Sequence, residues 1–377
     1  MTDDCLLNTE PRPMPASPPP RPAILAAPPV PHGAITPREL AGLGLSPGQI
    51  IDFSANINPY GPPPAVRDAL TRVPLDRYPD PDALALRRAL AQHLERRMEH
   101  ILVGNGASEL IWLTALAFLD AGDRVVVVGP TYGEYARAAR LMGADVAFWQ
   151  AAHENDFAIH PDAIAARLDD VLPRVVFLCH PNNPTGQLLP LDALARWADA
   201  HPAALFVVDE AYLPFAAGAA SALTLNAPNI LILRSMTKTH ALAGLRLGYA
   251  VGPEPIIAAL RNAQPPWSVN ALAQAAGAAA LAHQTWVEET LARVQKDARA
   301  LIQALRGAGW RPHPTAAHFF LLPVGNAASV RTQLLRRGVV VRDAASFGLP
   351  GHIRIAARTP SENASLLHAL ANLVPSP

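Results

Sequence analysis

Short apolar runs of strand length alternate with stretches of helical composition through the middle of the chain. The runs lie at residues 125–128, 175–178, 205–208, 230–233 and 246–251, and helical stretches separate several of them. Parallel strands need long crossover connections, which are usually helices. This alternation therefore predicts an α/β fold with a largely parallel sheet and helices on both of its faces.

The two ends of the chain have different patterns. Residues 1–31 contain ten prolines, which predicts a disordered or polyproline leader. Beyond about residue 260, alanine-rich helical sequence covers residues 271–307. Shorter strand candidates follow at residues 319–322, 339–342 and 353–356, before a final helix. Helix, short strands and helix in this order predict a smaller C-terminal α+β domain.

Composition argues against several classes of partner. The formal net charge is +0, so no basic surplus points to nucleic acid or to an anionic membrane surface. No run reaches the roughly 18 consecutive apolar residues that a membrane-spanning helix needs. The chain has 2 cysteines, Cys5 and Cys179, which are far apart in sequence. They argue against a disulfide framework and favour a cytoplasmic protein.

The neighbours of Lys238 suit a particular cofactor. Ser235 and Thr237 precede it, and Arg246 follows eight residues later. An amine forms a Schiff base with an aldehyde, and hydroxyls with a guanidinium hold a phosphate dianion. Pyridoxal phosphate carries both groups, so the segment indicates a site for this cofactor. The alternative is a solvated lysine in a loop rich in serine and threonine.

Polar side chains also follow two of the apolar runs. Asp209 and Tyr212 come after residues 205–208, at the carboxyl end of an expected strand, where parallel sheets bind ligands. A carboxylate there can keep a pyridine nitrogen protonated. Asn183 follows residues 175–178 in a turn rich in proline and presents an amide to the same edge. Asp209 as a helix cap and Asn183 in an ordinary turn are the alternatives.

A glycine-rich turn opens a predicted helix near residue 107. Ala107 and Ser108 follow Gly104 and Gly106 directly. Small residues at a helix start expose backbone N–H groups and the positive end of the helix dipole. The segment therefore indicates an anion site.

Taken together and in this order, these segments resemble the fold-type I pyridoxal phosphate enzymes, the aspartate aminotransferase superfamily, over about residues 32–372. The resemblance implies a large domain with a mostly parallel seven-stranded sheet flanked by helices. It also implies a smaller α+β domain to which the N-terminal segment is added. The expected division is a leader over residues 1–31, an N-terminal segment over 32–70, a large domain over 71–262 and a small domain over 263–377.

The same resemblance implies roles for individual residues. Lys238 would carry the cofactor, Asp209 would pair with the pyridine nitrogen, and Tyr132 would stack on the ring. Asn183 and Tyr212 would hold the 3-oxygen. The residues implied to hold the phosphate are Ala107, Ser108, Ser235, Thr237 and Arg246, joined by Tyr78 from the neighbouring subunit of a homodimer.

Residues outside the cofactor motifs decide the reaction. Arg354 is placed like the carboxylate-binding arginine of the superfamily, and Arg342 would add a second positive charge. The segments at residues 52–62 and 266–273 resemble those of threonine-phosphate decarboxylases. That resemblance implies substrate contacts from His32, Gly33, Asn56 and Asn183, although Ala34 and Ile35 replace the usual glycine and asparagine.

The expected activity is decarboxylation of L-threonine O-3-phosphate to (R)-1-amino-2-propanol O-2-phosphate in cobalamin biosynthesis. Two alternatives stay open. A histidinol-phosphate aminotransferase would use the same cofactor site to transfer the amino group to 2-oxoglutarate. A non-catalytic binding domain of this fold, as found fused to transcription regulators, is disfavoured because no helix-turn-helix extension or basic patch accompanies the full set of cofactor residues.

Overall fold

Strands and helices follow the alternation that the sequence predicts. The computed structural model describes residues 18–27, 29–30, 35–42, 44–371 and 373. In chain order the strands are β1 (Ile51–Asp52), β2 (Ile101–Gly104), β3 (Arg124–Gly129), β4 (Asp145–Gln150), β5 (Val175–Cys179), β6 (Leu205–Asp209), β7 (Ile230–Ser235), β8 (Gly248–Val251), β9 (Phe319–Pro323), β10 (Val339–Val340), β11 (Arg342–Asp343) and β12 (His352–Ala356). The helices are α1 (Pro22–Ala26), α2 (Pro37–Gly42), α3 (Pro64–Leu70), α4 (Leu84–Leu94), α5 (Gly106–Phe118), α6 (Glu134–Leu141), α7 (Pro161–Val171), α8 (Leu191–Ala200), α9 (Met236–Thr239), α10 (Glu254–Ala263), α11 (Ala271–Leu281), α12 (Gln284–Gly307), α13 (Ala327–Leu335) and α14 (Pro360–Leu370).

The central sheet has seven strands in the order β2-β8-β7-β6-β5-β3-β4. Strands β3 to β7 pair in parallel, and β8 runs antiparallel to both of its neighbours. The predicted α/β fold with a mostly parallel sheet is therefore confirmed, with one reversed strand. Arg246, which we placed at the start of a strand, lies instead in the turn before β8 with φ 60°.

Helices cover both faces of this sheet, which explains the continuous apolar runs in the sequence. Strands β5 and β6 are buried along their whole length. Phe177 packs on one face in a cluster with residues of α5 and α6, and Leu178 packs on the other with residues of α7 and α8. Burying a side chain of this size stabilises the fold by about 1.5–3 kcal/mol.

The sheet register brings the predicted polar residues together. Cys179 at the end of β5 lies opposite Asp209 at the end of β6, and Asp209 lies opposite Leu233 in β7. Two residues after Leu233, β7 ends at Ser235 and the one-turn helix α9 begins. The carboxyl ends of three neighbouring strands thus form one edge, where ligands of α/β sheets bind.

A smaller part of the molecule combines both ends of the chain. Strands β11, β12 and β9 form an antiparallel sheet, and β1 pairs in parallel with β10. Phe53 packs in a core with residues of α12, β9, β12 and α14. The helical run predicted over residues 271–307 is divided at residues 282–283 into α11 and α12.

The predicted leader is described only in part. Pro22–Ala26 form the short helix α1 in a stretch to which we assigned no fold, and Arg21 donates a hydrogen bond to the carbonyl oxygen of Leu141 at 3.2 Å. The predicted substrate residues His32 and Gly33 lie outside the described residues. Among the helices of the described part, none has the length and apolar character to cross a bilayer.

Buried histidines give the fold an expected sensitivity to acid. His318 is 1% exposed, its ring lies 3.8 Å from that of Phe215, and neither ring nitrogen has a hydrogen-bond partner among the described residues. Burial lowers the pKa of His318 from 6.5 to about 3. Burial also lowers the pKa of His240 and that of His352 to about 4. The folded chain therefore excludes protons that the unfolded chain binds as the pH falls below 6.5.

The contribution of these histidines to stability should be fully present above pH 6.5 and should fall progressively below it, to about pH 4 for His240 and His352 and to about pH 3 for His318. For His318 alone the expected loss at pH 4.5 is about 3 kcal/mol. Urea unfolding at pH 7.5 and 4.5 measures this loss. His318→Phe, which keeps an aromatic ring, should reduce the loss of unfolding free energy by this amount. His368→Gln, at an exposed position of α14, should leave the pH dependence unchanged. Equal acid sensitivity in the His318→Phe chain would contradict this prediction.

Candidate active site

A cavity of about 390 Å³ lies at the carboxyl edge of the central sheet and reaches the smaller sheet. Its size is within the usual range for small-molecule sites. The predicted site residues that line it are Asn56, Ala107, Ser108, Tyr132, Asn183, Asp209, Tyr212, Ser235, Thr237, Lys238, Arg246, Arg342 and Arg354. The fold therefore brings together residues that are up to about 300 positions apart in sequence.

Lys238 enters the cavity from α9, where the chain turns sharply after β7. Burial, together with the positive charges of Arg354 and Arg246, lowers the pKa of Lys238 to about 8, and Asp209 opposes this shift. The amine therefore has a substantial neutral fraction near physiological pH, which a nucleophile for a carbonyl carbon requires. The backbone carbonyl of Lys238 accepts a hydrogen bond from the N–H of Asn58 at 3.0 Å, which ties α9 to the N-terminal segment.

Asp209 lines the cavity and is 5% exposed. The hydroxyl of Tyr135 donates to Oδ2 at 2.7 Å, and the N–H of Ala211 donates to Oδ1 at 2.9 Å. Burial raises the pKa of Asp209, and these two hydrogen bonds oppose that shift. The bond from Ala211 closes a turn after β6 and is not the helix cap of the alternative interpretation, because the next helical turn, Leu213–Phe215, has Tyr212 at its N-cap position. Asp209 lines the cavity, as predicted.

Donors for an anion gather at one wall of the cavity. Helix α5 begins at Gly106, where a Cβ would come within 2.9 Å of Nη2 of Arg246. A Cβ on Gly248 would approach the N–H nitrogen of Ala107 to 2.6 Å, so glycine lets the helix start lie against β8. The hydroxyls of Ser235 and Thr237 are 2.6 Å apart. Helix N–H groups, hydroxyls and a guanidinium are suitable partners for a phosphate.

A second guanidinium reaches the cavity from the smaller sheet. Arg354 in β12 is buried and donates to the side-chain oxygen of Asn183 through Nη1 and to the carbonyl oxygen of Ser54, at 2.5 Å, through Nη2. Burial lowers the pKa of Arg354 to about 10, and nearby Arg342 acts in the same direction. Because Nε has no partner within the described ranges, the guanidinium keeps donors for an anionic ligand.

Two polar side chains complete the wall between these guanidinium groups. Asn56 is 1% exposed, and neither of its amide atoms has a partner in the part of the chain that the structure describes. Buried polar atoms are nearly always paired, so this amide indicates a ligand contact. Tyr212 packs edge-on against Phe319 with its ring centre 4.9 Å away, and burial raises the pKa of its hydroxyl.

Tyr78 does not line the cavity of its own chain. Its side chain is 80% exposed and stacks on Trp267, with ring centres 4.6 Å apart. An exposed tyrosine at this position is compatible with the predicted contact to a neighbouring subunit, which stays a prediction.

Sequence reasoning missed several residues that face the cavity. Val30, Ser54, Tyr135 and Phe347 all contribute to its lining. No local pattern marks these residues: Tyr135 lies in the first turn of α6, whereas Tyr132 precedes that helix, so helical spacing does not connect the two.

Comparison with known proteins identifies similar families and structures. The family model described as "Aminotransferase class I and II" matches residues 48–370. A histidinol-phosphate aminotransferase of Symbiobacterium thermophilum is 39% identical over 330 residues, which cover 85% of this chain and 90% of that protein. A histidinol-phosphate aminotransferase of Akkermansia muciniphila is 33% identical over 88% of this chain and 92% of its own length.

Solved structures agree with this assignment. A histidinol-phosphate aminotransferase from Sinorhizobium meliloti in complex with pyridoxal-5'-phosphate has a TM-score of 0.82 at 25% identity, over 93% of this chain and 96% of that chain. One from Clostridium acetobutylicum has a TM-score of 0.78 at 28% identity, over 86% and 99%. The predicted cofactor, pyridoxal phosphate, is thereby confirmed, and so is the predicted fold.

The expected reaction is wrong. We predicted a decarboxylase, and hence a lyase of cobalamin biosynthesis, from the segments at residues 52–62 and 266–273. Several curated relatives that match most of the chain are instead histidinol-phosphate aminotransferases. The physical reason is that a resemblance of segments does not specify which bond at the substrate Cα breaks, and residues 266–273 do not line the cavity at all. The aminotransferase alternative is the better supported interpretation.

Proposed function

Because this chain belongs to the class I and II aminotransferase family, we propose that it transfers the amino group of histidinol phosphate to 2-oxoglutarate. The observation that carries the proposal is the presence of two cationic regions in one cavity. Arg246 lies beside the start of α5, whereas Arg354 and Arg342 enter from the smaller sheet. One region suits the phosphate of the cofactor, and the other is left for an anionic group of the substrate.

The donor set fits pyridoxal phosphate. The amine of Lys238 suits the aldehyde, and the carboxylate of Asp209 suits a protonated pyridine nitrogen. Ala107, Ser108 and Arg246 suit the phosphate dianion. Oδ1 of Asn183 is occupied by Arg354, so its NH₂ group is the part that stays available to donate to the 3-oxygen.

When bound, pyridoxal phosphate supplies the carbon that carries the amino group between substrates and a ring that accepts electron density from the substrate Cα. The neutral amine of Lys238 would act as general base and acid, removing the proton from the substrate Cα and delivering it to the cofactor carbon that keeps the nitrogen. Asp209 would hold a proton at the ring nitrogen of the bound cofactor. The low pKa of Lys238 matches this role, because a base is most effective when its pKa lies near the working pH.

The second cationic region explains how one site can accept both substrates. Histidinol phosphate carries a phosphate, and 2-oxoglutarate carries two carboxylates. Arg354 and Arg342 occupy opposite positions in the pairing of β11 with β12, so their side chains start from neighbouring points of the sheet. A guanidinium binds either anion through two parallel hydrogen bonds. We infer that each substrate in turn places an anionic group against these arginines.

The proposal is tested with the purified chain, pyridoxal phosphate and 2-oxoglutarate, by measuring glutamate formation. We expect histidinol phosphate to be used at least about 100-fold more efficiently in kcat/KM than histidinol, because the unphosphorylated compound leaves buried donors unpaired. Aspartate serves as the comparison donor. Glutamate formed from aspartate but not from histidinol phosphate would contradict the proposed substrate and leave the family assignment intact.

We further propose a homodimer in which Tyr78 of each subunit contacts the phosphate bound by the other. Tyr78→Phe should weaken retention of pyridoxal phosphate by about 1 kcal/mol, the usual contribution of one hydrogen bond. Cofactor release during dialysis measures this effect. A monomer with full activity at the assay concentration, seen by analytical ultracentrifugation, would contradict the proposal.

A further inference from the structure

Two adjacent buried carboxylates at the end of β6 have different partners. Glu210 forms an ion pair with Nη2 of Arg234 at 2.7 Å and accepts further hydrogen bonds from Ser221 and from the N–H of Ala222. Asp209 has no ion-pair partner in the described part of the chain. Its two bonded donors, the hydroxyl of Tyr135 and the N–H of Ala211, are both neutral.

Neutral hydrogen-bond donors affect a carboxylate differently from the way a paired cation does. They orient it and stabilise its charged form, yet they leave its charge uncompensated. A guanidinium in the same place would satisfy the carboxylate and weaken its attraction for an incoming positive group. Asp209 is thus arranged to receive a cation from the cavity side.

The position of Tyr135 is fixed by packing. Its side chain is 1% exposed, its ring stacks on Phe177 at 5.3 Å with an angle of 5° between the planes, and Tyr132 contacts it edge-on at 5.6 Å. A ring held on two sides allows its hydroxyl little freedom. The 2.7 Å bond to Oδ2 therefore sets the orientation of the Asp209 carboxylate.

We propose that Tyr135 is a positioning residue, whose hydroxyl holds Asp209 ionised and directed at the protonated ring nitrogen of the cofactor. The inference rests on the role of Asp209 in the proposed function and adds to it the group that maintains this role. Burial opposes ionisation of Asp209, and Tyr135 supplies the first of the two hydrogen bonds that counter it.

Tyr135→Phe is the direct test, because it keeps the ring and removes only the hydroxyl. We expect kcat to fall about 10- to 100-fold, as for loss of one hydrogen bond to a charged group, with KM changed less than about threefold. Loss of a donor raises the pKa of Asp209, so the acid limb of the pH profile should move upward by about one unit. The pH at which the visible absorption of the bound cofactor titrates should shift in the same direction. This readout is independent of turnover.

The matched control is Tyr249→Phe, which removes the hydroxyl of a buried tyrosine in β8 that does not line the cavity. It should leave kcat and the absorption titration unchanged. If Tyr135→Phe behaves like this control, or only lowers the melting temperature, Tyr135 has a packing role and the inference is overturned.

A double-mutant cycle with Asp209→Asn separates this inference from the proposed function. Because Tyr135 acts through Asp209, adding Tyr135→Phe to the Asp209→Asn chain should change kcat less than about twofold. Additive effects on kcat would overturn the inference while the role of Asp209 stands. Full activity and an unchanged absorption spectrum of the Asp209→Asn chain would overturn the role of Asp209 itself and, with it, that of Tyr135.

Discussion

Replacing Lys238 with alanine is expected to lower kcat by about 10⁴-fold or more, the upper range for a positioned proton-transfer group. The loss is large because the function that we propose gives the same amine two roles, nucleophile for the cofactor aldehyde and base at the substrate Cα. The Lys238→Ala chain should also lack the visible absorption of a cofactor that is bound covalently to the lysine nitrogen. Steady-state glutamate formation and an absorption spectrum measure both effects.

The composition of the chain provides a matched control. Lysine occurs only at positions 238 and 296. Lys296 is exposed on α12, outside the cavity, so Lys296→Ala should leave kcat and the spectrum unchanged. Borohydride reduction followed by peptide mapping should recover the cofactor on the peptide that contains Lys238. Recovery on Lys296, or activity of the Lys238→Ala chain within about tenfold of normal, would contradict the assignment.

Replacing Arg354 with glutamine should lower kcat/KM for histidinol phosphate by about 3–4 kcal/mol, roughly 100- to 1,000-fold, the loss expected for a charged contact in a site shielded from water. Arg354→Lys should restore only part of it, because lysine keeps the charge and loses the two parallel donors. Retention of pyridoxal phosphate should change little, because Arg354 is not among the residues proposed to hold the cofactor phosphate.

Arg358 offers the comparison for this variant. It lies four residues further along and pairs with Glu362 at 2.7 Å, where it does not line the cavity. Arg358→Gln should alter stability without changing kcat/KM. Removing Arg354 also deprives Asn183 and the Ser54 carbonyl of a donor, so the melting temperature of each variant must be recorded. Equal effects of the two substitutions on kcat/KM would show that Arg354 acts through stability alone.

Sequence reasoning succeeded where one local pattern has one physical cause. The runs at residues 175–178 and 205–208 are continuous because β5 and β6 are covered on both faces, so each was readable as a buried strand. Asp209 was found because it follows such a strand and Lys238 because hydroxyls and an arginine lie near it in sequence, and the cavity contains both.

Long-range geometry was not readable in the same way. The reversal of β8 and the left-handed turn at Arg246 depend on how α5 packs against Gly248. No local periodicity of the sequence indicates this packing. The bond from Tyr135 to Asp209 joins residues 74 positions apart, so only the fold reveals it. The choice between decarboxylation and transamination depends on how a substrate is oriented, which neither segment composition nor spacing specifies.

The meeting of both chain ends at the cavity has a consequence for the order of folding during synthesis. Ser54 binds Arg354 across 300 residues, and Ile51 pairs with Val339. A nascent chain that ends near residue 300 already contains Lys238 and Asp209 but no Arg354. Contacts of such sequence separation form slowly, because a long loop must close first. We therefore expect the part that contains Lys238 and Asp209 to begin folding on the nascent chain, before the contacts of Arg354 and Val339 can form.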